Sequence, residues 1–258
     1  MRLTFLGTGT SFGVPQIGCD CAVCHSPDPR DRRTRVGALV ETDAGRRILI
    51  DTPPELRLQL VAAGVDGVDA VLYTHDHADH THGIDDIRAF TARAGGPLSV
   101  YASPATASAL ARKFPYIFDD ALRPLPGTYK PEGRLRAIEE GETVEIAGVG
   151  VTPVRVPHGM AEVFAFRVGP LAYVTDAKSI PAAAMAVLRG ARVLVVNALF
   201  RSPHPTHLSI PEAMDAAAAV GAERTYLTHL THKYAHAELE AELPPHVRPA
   251  YDGLVVEI

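Results

Sequence analysis

Three histidines and two aspartates occupy six consecutive positions, His75-Asp76-His77-Ala78-Asp79-His80, directly after the apolar stretch Ala70-Val-Leu-Tyr73. A short run rich in apolar and aromatic residues reads as a buried strand. Side chains this polar at its end have little structural reason to be there, because burying them without partners is costly. Imidazole and carboxylate are the ligands that hold Zn, Mn or Fe. In extended backbone His75 and His77 point to one side, so they can share one ion. If the chain then turns into a helix, Asp79 and His80 swing toward a second. One short segment thus supplies ligands for two metals.

Other strand-like runs surround this one: Leu3 to Leu6, Leu39 to Glu41, Arg47 to Ile50, Leu98 to Tyr101, Val149 to Val156, Val163 to Val168, Leu171 to Val174, Val193 to Val196, Thr225 to Leu227 and Leu254 to Ile258. Each is bounded by glycine, proline or polar residues. Helix starts lie between them. Thr52-Pro-Pro-Glu55 has the form of a capping box, Ser103-Pro104 opens a second helix, and Ser209-Ile-Pro-Glu212 opens the Ala-rich Ala213 to Val220 segment. The early strands come as a hairpin through Asp43-Ala-Gly45, whereas the late ones alternate with helices. Two sheets covered by helices, in one domain over residues 1–258, are the expectation. Phe114 to Arg136 is broken by four prolines, Pro115, Pro124, Pro126 and Pro131, and reads as a surface connection or a loop over a site.

Apolar residues make up 47% and charged residues 21%, which excludes disorder for most of the chain. No run approaches the ~20 apolar residues of a membrane span, and a cytoplasmic protein is expected. The formal charge of −5 supplies no general field toward nucleic acid or anionic lipid. Three cysteines, Cys19, Cys21 and Cys24, are too few and too clustered for a disulfide framework. Their spacing suggests a metal instead. A closed zinc site needs a fourth ligand. His25 is adjacent but constrained by the same turn, and His232 is the better candidate. Gly7-Thr-Gly9-Thr-Ser-Phe-Gly13 is not followed by a helix pattern, so it reads as a strand-end turn, not a phosphate loop.

Thr-His-x-His-x-Asp-His after an apolar strand resembles the metallo-β-lactamase-fold hydrolases. That resemblance implies an α/β (α+β) chain arranged as a four-layer αββα sandwich, in agreement with the element order. It also implies a later histidine, an aspartate and a last histidine, matched in order by His158 in Val156-Pro-His-Gly159, Asp176 in Tyr173-Val-Thr-Asp176 and His229 in Leu227-Thr-His-Leu230. On this pattern His75, His77 and His158 hold one ion, Asp79, His80 and His229 the other, and Asp176 bridges them. Asp79 would also orient the attacking water. His207 is similar to the family's extra active-site histidine, a general acid for the leaving group. Asp51 would order the ligand loops.

The N-terminal Gly7-Thr-Gly9-Thr-Ser-Phe-Gly13-Val-Pro15 with Cys-x-Cys-x-x-Cys, and the C-terminal His229-Leu-Thr-His232, resemble the phosphoribosyl cyclic-phosphate phosphodiesterase branch of phosphonate degradation. That likeness implies a structural zinc on Cys19, Cys21, Cys24 and His232, two divalent ions (Zn or Mn) at the active site, and hydrolysis of a small cyclic or linear phosphodiester through a metal-activated hydroxide. A lactone or thioester hydrolase, or a noncatalytic cofactor-biosynthesis relative, is the alternative. A transfer-RNA nuclease is disfavoured by the charge and by the lack of a basic arm. Arg33, Arg35, Arg88 and Lys178 are candidates for phosphate contacts, although Asp85-Asp86-Ile-Arg88 could form an internal ion pair. The sequence names no substrate-binding residue outright. It carries no coiled-coil heptad, and a homodimer is compatible with it.

Overall fold

The computed structural model describes residues 1–258. Fourteen strands form two seven-stranded sheets. The first contains β1 (Arg2–Gly7), β2 (Gly37–Glu41), β3 (Arg47–Ile50), β4 (Ala70–Leu72), β5 (Leu98–Ala102) and β6 (Gly133–Ala137) side by side in chain order, with the C-terminal strand on the free side of β1. The second contains β7 (Val144–Ile146), β8 (Val149–His158), β9 (Ala161–Val168), β10 (Leu171–Val174), β11 (Val193–Asn197), β12 (Arg224–Thr228) and β13 (Val247–Pro249), also in order. The terminal strand, β14 (Val255–Glu257), returns to the first sheet.

Period-2 alternation explains why the sheets stack. In β3, Ile48 and Ile50 enter the core between the sheets while Leu49 faces outward; in β11, Val193 and Val195 point inward and Leu194 and Val196 outward. Strands buried on both faces need a cover on each. Helices α1 (Leu56–Ala62), α2 (Ala78–Thr81), α3 (Arg88–Ala94), α4 (Pro104–Lys113) and α5 (Pro115–Phe118) lie in the first half of the chain. Leu56, Leu60, Phe90, Leu110 and Ile117 of this group join Leu49 and Val71 in one outer core. Helices α6 (Ala182–Leu188), α7 (Ile210–Val220) and α8 (His236–Glu242) cover the second sheet through Leu188, Ala213, Ala217 and Leu239. The result is the four-layer αββα sandwich. Each fully buried Leu, Ile, Val or Phe in these three cores contributes about 1.5–3 kcal/mol.

Strands β6, β7 and β13 had no counterpart among the sequence runs. All three are short edge strands. Gly133-Arg-Leu-Arg-Ala137 carries two arginines and Val247-Arg-Pro249 ends in proline, the charged and proline-bearing composition that protects sheet edges and hides their pattern. The rest of the irregular stretch is a surface connection, exposed throughout residues 119–129.

Helix α7 opens at Ser209 as expected, with a full capping box: the Ser209 hydroxyl accepts from the Glu212 N–H while the Glu212 carboxylate accepts from the Ser209 N–H at 2.7 Å. Ser209→Ala is therefore expected to cost about 1 kcal/mol and to lower Tm by roughly 2–4 °C, measurable by thermal denaturation. The Thr52 box does not form. Helix α1 starts only at Leu56, with Glu55 at its N-cap and no side-chain cap, so Thr52 lies upstream of the helix. Thr52 is buried instead, its hydroxyl 2.6 Å from the Tyr73 hydroxyl and its N–H donating to the His80 carbonyl at 2.8 Å. It braces the ligand segment.

The Gly7-Thr-Gly9 turn owes its glycines to crowding. A Cβ on Gly7 would lie 2.0 Å from the Arg35 carbonyl oxygen, and one on Gly9 2.6 Å from that of Arg33. Leu230, next to His229, donates its N–H to the Thr8 carbonyl at 2.8 Å, so this turn lies beside the site as expected.

Candidate active site

Strand ends of both sheets converge on one point. His75 and His77 follow β4 in extended backbone, and the chain then turns into α2, which carries Asp79 and His80. His158 ends β8, Asp176 lies just beyond β10, and His229 directly follows β12. Two groups of donors result: the ligand atoms of His75, His77 and His158 lie within 4.8 Å of one another, as do those of Asp79, His80 and His229. Asp176 stands between them. Its Oδ2 is 3.3 Å from His80 Nε2, and its Oδ1 is 3.2 Å from His229 Nε2 and 4.0 Å from His158 Nε2.

The far ring nitrogens are anchored. His80 Nδ1–H donates to Asp51 Oδ2 at 2.7 Å, His75 Nδ1 is 3.0 Å from the Thr74 hydroxyl, and His158 Nδ1–H donates to the Thr206 carbonyl at 3.0 Å. Partners of this kind fix ring orientation and raise ligand basicity. Asp51 also accepts from the Thr74 N–H at 2.9 Å and from its hydroxyl at 2.8 Å, so it orders the ligand loop as expected. Thr74 enters the sequence motif only as the residue before His75, and a backbone carbonyl such as that of Thr206 leaves no trace in sequence.

The inward donors are left without partners. His75 Nε2 and His80 Nε2 are buried and make no hydrogen bond. Buried polar atoms are normally paired, so these orphaned nitrogens, together with the carboxylates of Asp79 and Asp176, form a donor set that fits divalent cations. Electrostatics agree. Burial pushes His75 and His158 down, and His229 to about 4, which keeps their imidazoles neutral and their lone pairs free. Burial also works against a charged His80, but the carboxylates of Asp176 and Asp51 outweigh it and push the ring up to about 10, so these carboxylates favour positive charge at Nε2, and a bound cation would take the place of its proton. Asp176 is held well below the usual carboxylate range: burial opposes its charge, and His229, His80 and His207 overcome that.

Backbone strain collects here too. Of four non-glycine residues with positive φ, three are Asp51 (62°), Asp176 (55°) and His229 (56°). Such conformations cost about 1–3 kcal/mol each and persist where the surroundings enforce them. Each turns the chain sharply at a strand end and aims its side chain at the cluster.

His207 belongs to the same cluster. Its Nε2 is 3.1 Å from Asp176 Oδ1 and its Nδ1 is 2.8 Å from the Thr206 hydroxyl, with the ring stacked on His229 at 4.7 Å between centroids. His204, not singled out from the sequence, approaches His207 with 3.4 Å between their Nδ1 atoms. The four basic candidates do not reach this point. Arg33 is fully buried and donates to Asp31, to the Thr231 carbonyl and to the Tyr234 carbonyl. Arg35 pairs with Glu55, Lys178 with Glu212 at 2.7 Å, and Arg88 with both Asp85 oxygens at 2.8 and 2.9 Å. All four are structural ion pairs. A cavity of about 540 Å³, lined by α1 and the β1 edge, lies away from the histidines; the chemistry belongs at the donor cluster, where the orphaned nitrogens are.

A second cluster sits close by. The Sγ atoms of Cys19, Cys21 and Cys24 lie 3.2, 3.4 and 3.6 Å from His232 Nδ1. Tetrahedral zinc with Zn–S of about 2.3 Å and Zn–N of about 2.0 Å requires S···N edges of roughly 3.5 Å. The Cys24 N–H lowers Cys21 to about 6 and burial raises Cys24 to about 11. His25 is exposed and turns to Asp20, leaving His232 as the fourth donor.

The family model of the β-lactamase superfamily domain matches residues 46–230, which contain every donor of the first cluster. The chain belongs to this superfamily. Membership implies divalent-metal binding at the cluster. A solved diphosphatase of the PhnP family superposes with a TM-score of 0.90 at 41% identity, covering 100% of this chain and 97% of that one. The zinc-bound PqqB of Methylobacterium extorquens shares the fold, with a TM-score of 0.78 at 21% identity over the full length of both chains. An octanoyltransferase of Porphyromonas gingivalis is 40% identical over 259 residues, covering 98% of this chain and 51% of that protein. The chain thus spans about half the length of that superfamily relative. No helix is long and apolar enough to cross a membrane.

Proposed function

We propose that this chain is a dinuclear metal-dependent hydrolase acting on a small phosphodiester, and not on nucleic acid. The observation that carries the reading is the paired donor set: three histidines on one side, Asp79, His80 and His229 on the other, and Asp176 between them. His75, His77 and His158 would hold one divalent ion, Zn or Mn, and Asp79, His80 and His229 the second. Cys19, Cys21, Cys24 and His232 would hold a structural zinc. Divalent ions bound there lower the pKa of water and polarise a phosphoryl oxygen.

The chain's own groups supply the rest. Asp79, at the first turn of α2 and half-buried, can accept a hydrogen bond from the attacking water and orient it. Asp176 carries negative charge between the two donor groups and fixes His207. His207 has Nε2 facing the cluster and Nδ1 held by Thr206, the placement of a general acid that protonates the departing oxygen. Leu208 and Leu230, next in sequence to His207 and His229, are buried in the core between the second sheet and its helices and anchor these two residues. The solved PhnP-family diphosphatase, alike over its whole length, supports phosphorus chemistry; the octanoyltransferase shares only half of its own length and supports acyl chemistry less. Neither name transfers a substrate.

His207→Ala tests the acid role. Loss of a general acid costs about 10²–10⁴-fold, and the loss should concentrate on substrates with poor leaving groups. Turnover of an alkyl phosphodiester is expected to fall at least 100-fold and that of a p-nitrophenyl phosphodiester far less. Equal losses on both would remove His207 from proton transfer.

A further inference from the structure

A cavity of about 360 Å³ opens on the donor cluster, lined by Phe12, Phe200, His204 and Lys233 and sharing His207 and His229 with the site. Its volume lies in the range of small-molecule pockets. Phe12 is 66% exposed and joins none of the three cores, so its ring is presented to the cavity for no packing reason. Phe200 is half-buried and stays against His204, with ring centroids 5.7 Å apart. Lys233 is exposed and makes no ion pair, whereas the basic groups nearest the ligand loops, Arg33, Arg35, Lys113 and Lys178, all do.

Two aromatic rings and one free ammonium beside a hydrolytic centre match a ligand with a planar ring and an anionic group. We propose that this cavity binds the leaving half of the substrate, and that this half is a nucleoside 5′-phosphate, its base against Phe12 and Phe200 and its phosphate at Lys233. The inference rests on the metal-dependent phosphoryl hydrolysis proposed above and carries it from an ester to an anhydride linkage, and His207 gives it a direction: the proton donor lines this cavity, so the departing oxygen exits into it. The bond cleaved is then the bridge of a diphosphate. Water oxygen joins the attacked phosphorus, the bridging P–O bond breaks, the nucleotide leaves with the bridging oxygen, and the remaining proton passes to solvent. Stacking of a base on an aromatic side chain is sequence-tolerant and strong, so Phe12 would supply affinity without choosing among bases.

Calorimetric titration of the metal-loaded protein with AMP, ribose 5-phosphate and inorganic phosphate tests this without turnover. AMP is expected to bind at least about 10-fold more tightly than ribose 5-phosphate. Phe12→Ala should remove that advantage and leave ribose 5-phosphate unchanged, and Lys233→Gln should weaken both several-fold. Equal affinity of AMP and ribose 5-phosphate, or a Phe12→Ala effect that is the same for both, would overturn the proposal. Absence of turnover of both a phosphodiester and a dinucleoside diphosphate, with AMP still bound as described, would instead overturn the hydrolase reading on which it rests.

Discussion

Asp176→Asn is expected to reduce kcat/KM by roughly 10³-fold, about 4 kcal/mol of barrier, and to lower the metal content of the purified protein. Three imidazoles, His80, His207 and His229, approach this carboxylate within 3.1–3.3 Å. Its charge is what holds them, and the nearest donors from the other group, together. Asparagine keeps the size and tolerates the left-handed backbone at φ 55°, so the fold should survive while the charge is lost. The checks are steady-state kinetics and elemental analysis of the same preparation. Unchanged metal content with unchanged rate would exclude Asp176 from the centre.

Cys21→Ser should remove one ion per chain and lower Tm by about 6–12 °C. A closed thiolate site contributes folding energy directly, and a loss of about 3 kcal/mol shifts Tm by roughly that amount in a chain of this size. The cluster joins the N-terminal loop to the segment after β12, since His232 lies three residues beyond His229. Arg33 ties the same two segments through its bonds to the Thr231 and Tyr234 carbonyls. Weakening the staple should therefore loosen His229 and depress activity moderately, without removing the active-site ions. Differential scanning calorimetry with elemental analysis separates the two effects. A Tm unchanged within 1–2 °C would reduce the cysteines to three free thiols.

Much of the site was legible because its donors are local and polar where the chain is otherwise apolar. His75 through His80 announce themselves at a strand end, and His158, Asp176 and His229 each follow an apolar run in the order the resemblance implies. The sandwich was readable from strands buried on both faces, whose period-2 cores the structure reproduces. Edge strands β6, β7 and β13 escaped because edges are short, charged or proline-bearing by necessity. Thr52 misled because a Thr-Pro-Pro-Glu motif has the letters of a cap, while the helix starts only at Leu56 and the Thr52 hydroxyl pairs with that of Tyr73. Arg33 misled for a different reason: a buried arginine and a substrate arginine are the same letter, and only the carbonyls of Thr231 and Tyr234 tell them apart. Phe12, His204 and Lys233 are separated by up to some 220 positions, and no local pattern reports a cavity assembled from three loops.

The most direct test is turnover by Zn- or Mn-loaded protein of an activated aryl phosphodiester, with a lactone and a thioester measured in parallel. Selective phosphodiester hydrolysis, lost on metal removal and in Asp79→Ala, is the expected result. Hydrolysis of the lactone or thioester alone would contradict it and assign this metal centre to acyl chemistry.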